Sequence, residues 1–233
     1  MSTPPSDAQS REPRGAEASG VPVLVYAGRV RVLCVGGGHV AAGKLAGLME
    51  GGADVRVVAP DAVPQLRAAA GAGRIAWMRR RYRRGDLGDA HLAIAATSDA
   101  DVNAGVAADA DAEGRMCVRV DEAAGGTAAL MGAVRRDPLV LGVSTSGAAP
   151  GLARLLRREL AQRYGPEHGR LAALWGELRT DGRVVDALAA LDDDERRARW
   201  RGIYSSDILG LIRAGKLAEA KEAALACLLS SSD

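Results

Sequence analysis

The chain has 233 residues, 48% of them apolar and 26% charged, which indicates a folded globular protein of one domain with at most a small appendage. Aromatic residues make up only 3%, which argues against a base-stacking nucleic-acid surface, and a net charge of +2 gives no general attraction to polyanions. The sequence lacks an apolar membrane span and a signal-peptide segment, and its three widely spaced cysteines suit a reducing compartment, so we expect a cytoplasmic protein.

Residues 1–20 are rich in Pro, Ser, Gly and charges and predict a disordered tail. Short apolar runs then alternate with helical patterns, which is typical of a parallel, doubly wound sheet. The predicted strands are Val30–Val35, Val55–Val58, Ile75–Trp77, His91–Ala96 and Met116–Val120. The predicted helices between them are Val40–Glu50, Val63–Ala70 and Asp101–Asp111.

The pattern changes after Asp121. Residues 122–134 give no clear prediction, and 139–144 read as a strand. Pro150 then stands at the start of a long predicted helix over 151–164. From about residue 167 the pattern is helical throughout, which predicts a separate helical module.

The glycines at positions 36–38 lie between the first strand and the first helix. Read as G-x-G-x-x-A, the motif uses Gly36 for a tight turn, Gly38 for close approach to a pyrophosphate and Ala41 for helix packing. The helix N-terminus beyond it offers unpaired N–H groups to phosphates. The alternative is a glycine-rich turn without a ligand, and the strand–turn–helix context favours the nucleotide site.

Two further positions follow strands of the same sheet. Asp61, after Pro60, either meets the ribose hydroxyls or caps the next helix. No arginine adjoins it in sequence, which favours NAD over NADP. Thr97 follows the fourth strand and is a candidate neighbour of the cofactor, whereas Ser98 or Asp99 reads as a helix cap.

Asp121 ends the fifth strand at the same edge, where a carboxylate acts as a general base, holds a metal ion or is only a turn residue. The basic run Arg79–Arg84 is either a solvated loop or a surface that attracts a substrate with several carboxylates. No cluster with metal-ligand spacing is present in the sequence, so we expect no resident metal.

Four motifs in order carry a resemblance to a known family. They are VLCVGGGHVAAGKLAGLMEGGADVRVVAP, LAIAATSDADVN, VRVD and LVLGVSTSGAAPGLARLLRREL. Together they resemble the siroheme synthase N-terminal family, whose members are precorrin-2 dehydrogenases and in some cases also sirohydrochlorin ferrochelatases.

The resemblance implies oxidation of precorrin-2 to sirohydrochlorin with NAD, and in bifunctional members insertion of ferrous iron to give siroheme. An enzyme of one activity with a separate chelatase, or a non-catalytic NAD-sensing module, are the alternatives. The resemblance assigns proton abstraction during ring oxidation to Asp121. In a bifunctional member, Asp121 would also remove pyrrole protons as iron enters. It implies cofactor contacts at Gly36, Gly37, Gly38, His39, Val40, Pro60 and Asp61, and places Thr145, Ser146 and Arg154 near the tetrapyrrole.

The family fold implies a Rossmann-like domain over 21–121, a dimerisation segment over 122–165 and a small all-helical domain over 166–233. It also implies a homodimer. No nucleic-acid or membrane partner is expected.

Overall fold

The computed structural model describes residues 20–205 and 207–230, and the tail predicted over 1–20 lies outside this part except for its last residue. The chain divides into two compact units. One comprises the described residues up to Leu130 together with Ser146–Ala148, and the other comprises 131–145 and the described residues from 149 onward. The first unit therefore extends nine residues past the end predicted for the Rossmann-like domain.

The first unit is built on five parallel strands in the order β3-β2-β1-β4-β5. The strands are β1 (Arg31–Val35), β2 (Asp54–Val58), β3 (Ala76–Met78), β4 (Leu92–Ala95) and β5 (Met116–Arg119). The helices of this unit are α1 (His39–Glu50), α2 (Pro64–Gly71) and α3 (Ala100–Ala112). This arrangement confirms the predicted doubly wound parallel sheet.

Strand β1 lies at the centre and is apolar on both faces, as a strand covered by helices on both sides must be. Val32 and Cys34 point into the core that includes Leu45 of α1, whereas Leu33 and Val35 point into the opposite core with residues of α3. Alternation along one strand thus divides its side chains between two layers. Because β1 is the middle strand of five, the turn that follows it lies at the centre of the sheet edge.

The second unit begins with an antiparallel hairpin of β6 (Gly132–Arg136) and β7 (Leu139–Val143), whose register runs from Gly132 opposite Val143 to Arg136 opposite Leu139. Helix α4 (Pro150–Arg163) contacts both strands. The sequence predicted β7 and α4 but not β6. Gly132–Arg136 ends in two arginines and has too few apolar residues to show an alternating pattern, and its strand conformation depends on pairing with β7.

Helices form the rest of the second unit, which confirms the predicted helical module. They are α5 (Pro166–Thr180), α6 (Gly182–Ala189), α7 (Asp193–Ser205), α8 (Ile208–Arg213) and α9 (Leu217–Leu229). Their shared core contains Leu178, Ile203, Ile212 and Leu228. Within the described residues no helix has the length and apolar character needed to cross a membrane.

Candidate functional site

The carboxyl ends of the five strands lie along one edge of the sheet, where open α/β sheets bind ligands. Because β1 is central and β4 lies between β1 and β5, the turn after β1 is two strands from the end of β5. At a spacing of about 4.8 Å between strands, this separation is roughly 10 Å. The glycine turn, Thr97 and Asp121 therefore follow three adjacent strands in order.

The first two glycines of the turn are required by close packing. Gly36 has φ +124°, and a Cβ there would lie 2.6 Å from the carbonyl carbon of Ala96. A Cβ on Gly37 would lie 2.9 Å from Cα of Ala62. The turn is consequently pressed between the loops that follow β4 and β2, and no larger residue fits at either position.

Gly38 has a different role. It is the N-cap residue of α1 and has an ordinary extended backbone (φ −81°). Among the described residues, no side chain accepts a hydrogen bond from the first N–H groups of α1 as a cap. A Cβ at Gly38 would meet no described atom within 4 Å. Open space in front of an uncapped helix N-terminus fits the pyrophosphate of a dinucleotide, because the first N–H groups and the helix dipole favour an anion there.

The neighbouring residues of the turn agree with this arrangement. Ala41 is fully buried against the sheet, as the third position of the motif requires. His39 and Val40 are exposed on the first turn of α1. Both follow Gly38 directly in the chain, so the three predicted cofactor contacts lie next to one another at the start of α1.

Asp61 lies in the loop after β2, with a carboxylate that is 82% exposed. The helix-cap interpretation of Asp61 is wrong: the N-cap of α2 is Val63, and Asp61 Oδ1 accepts from the N–H of Ala62 instead. A guanidinium nitrogen of Arg67 lies 3.3 Å from Asp61 Oδ1. No arginine adjoins Asp61 in the sequence, but helix α2 brings Arg67 beside it in space, so this argument for NAD does not extend to the folded protein.

Thr97 follows β4 and is tied to Asn103, the one buried polar side chain among the described residues. The Thr97 N–H donates to Asn103 Oδ1 at 3.1 Å, the hydroxyl lies 2.8 Å from the same oxygen, and Asn103 Nδ2 donates to the Thr97 carbonyl. Asp99 caps α3 by accepting from Asp101 and Val102, as predicted. Asn103 thus fixes the loop that carries Thr97, a role the sequence did not reveal.

Asp121 follows β5, and its side chain is 26% exposed. Both carboxylate oxygens accept from Arg119, Oδ1 from Nε at 3.2 Å and Oδ2 from Nη2 at 2.8 Å. Arg119, together with a hydrogen bond from Asn103, lowers the pKa of Asp121 to about 2. The carboxylate is therefore ionised at neutral pH and available to accept a proton.

The remaining predicted site residues are divided between the two units. Ser146 lies in the stretch that packs with the first unit, where a Cβ on Gly147 would lie 3.1 Å from Cβ of Ala123, two residues after Asp121. Ser146 has φ +50°. Thr145 and Arg154 belong to the second unit; the Thr145 hydroxyl accepts from the N–H of Ala149, and Arg154 is exposed on α4.

The basic run after β3 is partly used within the fold. Arg80 forms a two-pronged ion pair with Asp86 at 2.7 and 2.8 Å, which lowers the pKa of that carboxyl. The Tyr82 hydroxyl donates to Asp109 at 2.8 Å. Arg79, Arg81 and the last two arginines of the run are exposed, in agreement with a solvated loop anchored at Arg80.

Cysteine chemistry does not contribute to this edge. Cys34 is fully buried in β1, and burial raises the pKa of its thiol to about 12.

A parallel sheet in this strand order, with a close-packed glycine turn and an open helix N-terminus, defines a dinucleotide-binding protein of the Rossmann class. An ionised carboxylate, Asp121, lies two strands away from the glycine turn along the same edge.

Comparison with known proteins narrows this class. A family model described as "Putative NAD(P)-binding" matches residues 23–130, and a model described as "Sirohaem biosynthesis protein central" matches residues 136–163. Over these two stretches the chain is similar to NAD(P)-binding proteins and to sirohaem biosynthesis proteins, respectively. The match over 23–130 supports the predicted NAD cofactor.

Several proteins with similar sequences are named siroheme synthase. Siroheme synthase 1 of Yersinia enterocolitica is 38% identical over 202 residues, which is 87% of this chain and 42% of that protein. Siroheme synthase of Pseudomonas putida is 41% identical over 194 residues, 82% of this chain and 40% of that protein. The chain thus spans about two fifths of the length of these relatives. The solved structure of SirC, precorrin-2 dehydrogenase, shares the fold with a TM-score of 0.67 at 21% identity, covering 87% of this chain and 100% of that one.

Proposed function

We propose that the protein oxidises precorrin-2 to sirohydrochlorin with NAD. The observation that carries the proposal is the juxtaposition along one sheet edge of an anion-binding helix N-terminus and an ionised carboxylate, at Gly38 and Asp121. The similarity to siroheme synthases supports the choice of substrate, and the fold shared with SirC, precorrin-2 dehydrogenase, is consistent with it. Gly38 would hold the pyrophosphate of a dinucleotide, and the loop after β4, which carries Thr97, lies between that position and the end of β5.

The reaction removes two hydrogens from the tetrapyrrole, as one hydride and one proton. Bound NAD⁺ supplies the hydride acceptor. The proton goes to Asp121, whose carboxylate lies at the edge and is ionised before the reaction. Asn103 contributes by fixing the Thr97 loop through its hydrogen bonds and by helping to lower the pKa of Asp121.

NAD is the proposed cofactor, with Asp61 as the acceptor for the adenosine ribose hydroxyls. Arg67 lies close enough to meet a 2′-phosphate, but its guanidinium is already engaged by Asp61 and by the carbonyl of Ala62. The exposed carboxylate would also repel a phosphate at this position. The engaged Arg67 and the negative charge of Asp61 therefore both favour NAD, which has a free 2′-hydroxyl, over NADP.

A homodimer is proposed through the second unit. Helix α4, which is described over its whole length, has no buried residue. Leu152, Leu155 and Leu156 occupy one face at i, i+3 and i+4 and remain 49%, 52% and 36% exposed. Burial of that face against a second copy would remove an apolar stripe from water, which supports the dimerisation segment that the family fold implies over 122–165.

Two further parts of the proposal concern iron and location. Asp121 is the candidate to remove pyrrole protons if the same protein inserts ferrous iron, and siroheme formation in the presence of iron would separate a bifunctional enzyme from a dehydrogenase alone. The cytoplasm is the proposed location, supported by free thiols at all three cysteines.

Replacement of Asp121 by alanine tests the proposed function. Sirohydrochlorin formation should be abolished while NAD binding stays near the wild-type value, because Asp121 lies two strands from the glycine turn. Asp111→Ala, which removes an exposed carboxylate from the far end of α3, is the matched control and should retain activity. Unchanged turnover in Asp121→Ala would overturn the assignment, and NAD binding without any turnover in the wild type would indicate an NAD sensor.

A further inference from the structure

Arg119 lies two residues before Asp121 and is largely enclosed, with a side chain that is only 10% exposed. Arg119 is the last residue of β5, and its side chain reaches the carboxylate of Asp121 just beyond the strand end. The guanidinium presents Nε and Nη2 to Asp121, while Nη1 lies 2.9 Å from Glu122 Oε2. One arginine therefore holds two neighbouring carboxylates at the sheet edge.

The backbone after Asp121 is shaped around this guanidinium. A short 3-10 turn, Ala123–Gly125, follows Glu122. A Cβ on Gly125 would lie 3.1 Å from Cδ of Arg119 and closer still to Nη1. Because a side chain at position 125 would collide with Arg119, glycine there leaves the space that the arginine occupies.

The charged and polar groups facing Asp121 come from two elements. Arg119 on β5 and Glu122 just beyond it provide the charges, and Asn103 on α3 provides a neutral hydrogen bond. Cys117, also on β5, faces Arg119, and burial raises the pKa of its thiol, so it stays neutral. The strongest influence on the Asp121 carboxyl is the arginine.

We propose that Arg119 is a positioning residue for the oxidation, holding the Asp121 carboxylate in one orientation toward the proton that it receives. This inference rests on the proposed function. A two-pronged guanidinium–carboxylate pair fixes the carboxylate plane, which a single charge does not. It leaves further lone pairs of the carboxylate free for the incoming proton.

The consequence of removing Arg119 follows from the sign of its effect. Arg119 lowers the pKa of Asp121, so Arg119→Gln should raise it, and the unpaired Glu122 beside it should raise it further. Asp121 would then become protonated at a higher pH and stop accepting protons as the pH falls. We expect an acid limb in kcat/KM centred above about pH 4, and a fall in kcat of ~10-fold or more at neutral pH from lost orientation.

The helical unit contains a matched control. Arg183 donates to both carboxylate oxygens of Asp181 at 3.1 and 2.8 Å, again at i and i+2, and lowers the pKa of Asp181 to about 2. Arg183→Gln breaks an equivalent pair at the start of α6, outside the site. It should leave the pH profile of the reaction unchanged.

The experiment measures kcat/KM for precorrin-2 oxidation from pH 4 to 8 in the wild type, Arg119→Gln, Arg119→Lys and Arg183→Gln. The Asp121 carboxyl is titrated in parallel by carbon-detected NMR, assigned with Asp121→Asn. We expect a flat acid side in the wild type and Arg183→Gln, a new acid limb in Arg119→Gln that coincides with its NMR titration, and partial recovery in Arg119→Lys.

Three results would count against these conclusions in different ways. An unchanged pH profile in folded Arg119→Gln, with or without a change in the NMR titration, would overturn the positioning role. An acid limb of the same size in Arg183→Gln would show that the effect is not local, and would overturn it too. No NADH from the wild type at any pH would overturn the proposed function itself, and the positioning role with it.

Discussion

Replacing Gly38 by aspartate should stabilise the fold and weaken NAD binding at the same time. Position 38 is the uncapped N-cap of α1 and has an ordinary backbone conformation, and a Cβ added there would have no described atom within 4 Å. An aspartate at this position supplies the missing cap and places a negative charge at the positive end of the helix. The same carboxylate occupies the N–H groups that the pyrophosphate would use.

The sizes of the two effects follow from these contacts. A better cap than glycine contributes a few tenths of a kcal/mol and the charge about 0.3–1 kcal/mol, so Tm should rise by roughly 2–4 °C for a chain of this size. Loss of even one charge-assisted hydrogen bond to the pyrophosphate costs about 1.5–3 kcal/mol, which is ~10-fold or more in Kd. Charge repulsion adds to this loss.

A thermal melt and an NADH fluorescence titration measure both effects on the same samples. Gly43→Asp is the control, because it makes the same change on α1 at a position that also has no described atom within 4 Å of a Cβ. It lies five residues further on, about 7.5 Å along the helix axis. Wild-type NADH affinity in Gly38→Asp would refute the assignment of the pyrophosphate to this helix end.

Three other substitutions test the surrounding structure. Gly37→Ala should lower Tm by several degrees, since its Cβ would overlap the loop at Asp61 and overpacking costs about 1–3 kcal/mol; an unchanged melt would contradict the close packing. Asn103→Ala should cost roughly 1–3 kcal/mol because the half-buried N–H and carbonyl of Thr97 lose their buried partner, and a chemical denaturation curve at the wild-type midpoint would show otherwise. Leu155→Asp should convert the proposed dimer to a monomer in sedimentation analysis without unfolding it, whereas a dimer of wild-type affinity would exclude α4 from the interface.

Much of the first unit was predictable because its signals are local. Each buried strand is a short apolar run, and Gly36 ends β1 where the chain must turn closely past a neighbouring loop. The predicted bounds of the strands and helices differ from the observed ones by at most one residue at each end, where pairing with neighbours decides the limits. Local patterns thus identified both the fold and the cofactor turn.

The contacts that adjust the site were not predictable in this way. Arg67 reaches Asp61 only because α2 begins at Pro64 and turns back toward the loop, which the sequence interpretation of Asp61 did not include. Asn103 lies in an alanine-rich helix, and only the structure shows that its buried side chain holds the Thr97 loop. Such roles depend on distances between elements, which a single sequence does not contain.

Arg119 is the clearest case. In the sequence it is one basic residue in VRVD, and attention falls on the aspartate that follows. The structure adds the two-pronged contact with Asp121, the second contact with Glu122 and the glycine that makes room for the side chain. The electrostatic environment of the carboxylate is therefore a property of the folded edge.

Anaerobic incubation of the pure protein with precorrin-2 and NAD, followed by absorbance, tests the central claim most directly. The account predicts that NADH and sirohydrochlorin appear together in equal amounts, at a rate proportional to protein concentration. Ferrous iron added afterwards would reveal a chelatase if siroheme forms faster than in a protein-free control. No NADH above that control would contradict the claim that this sheet edge oxidises the tetrapyrrole.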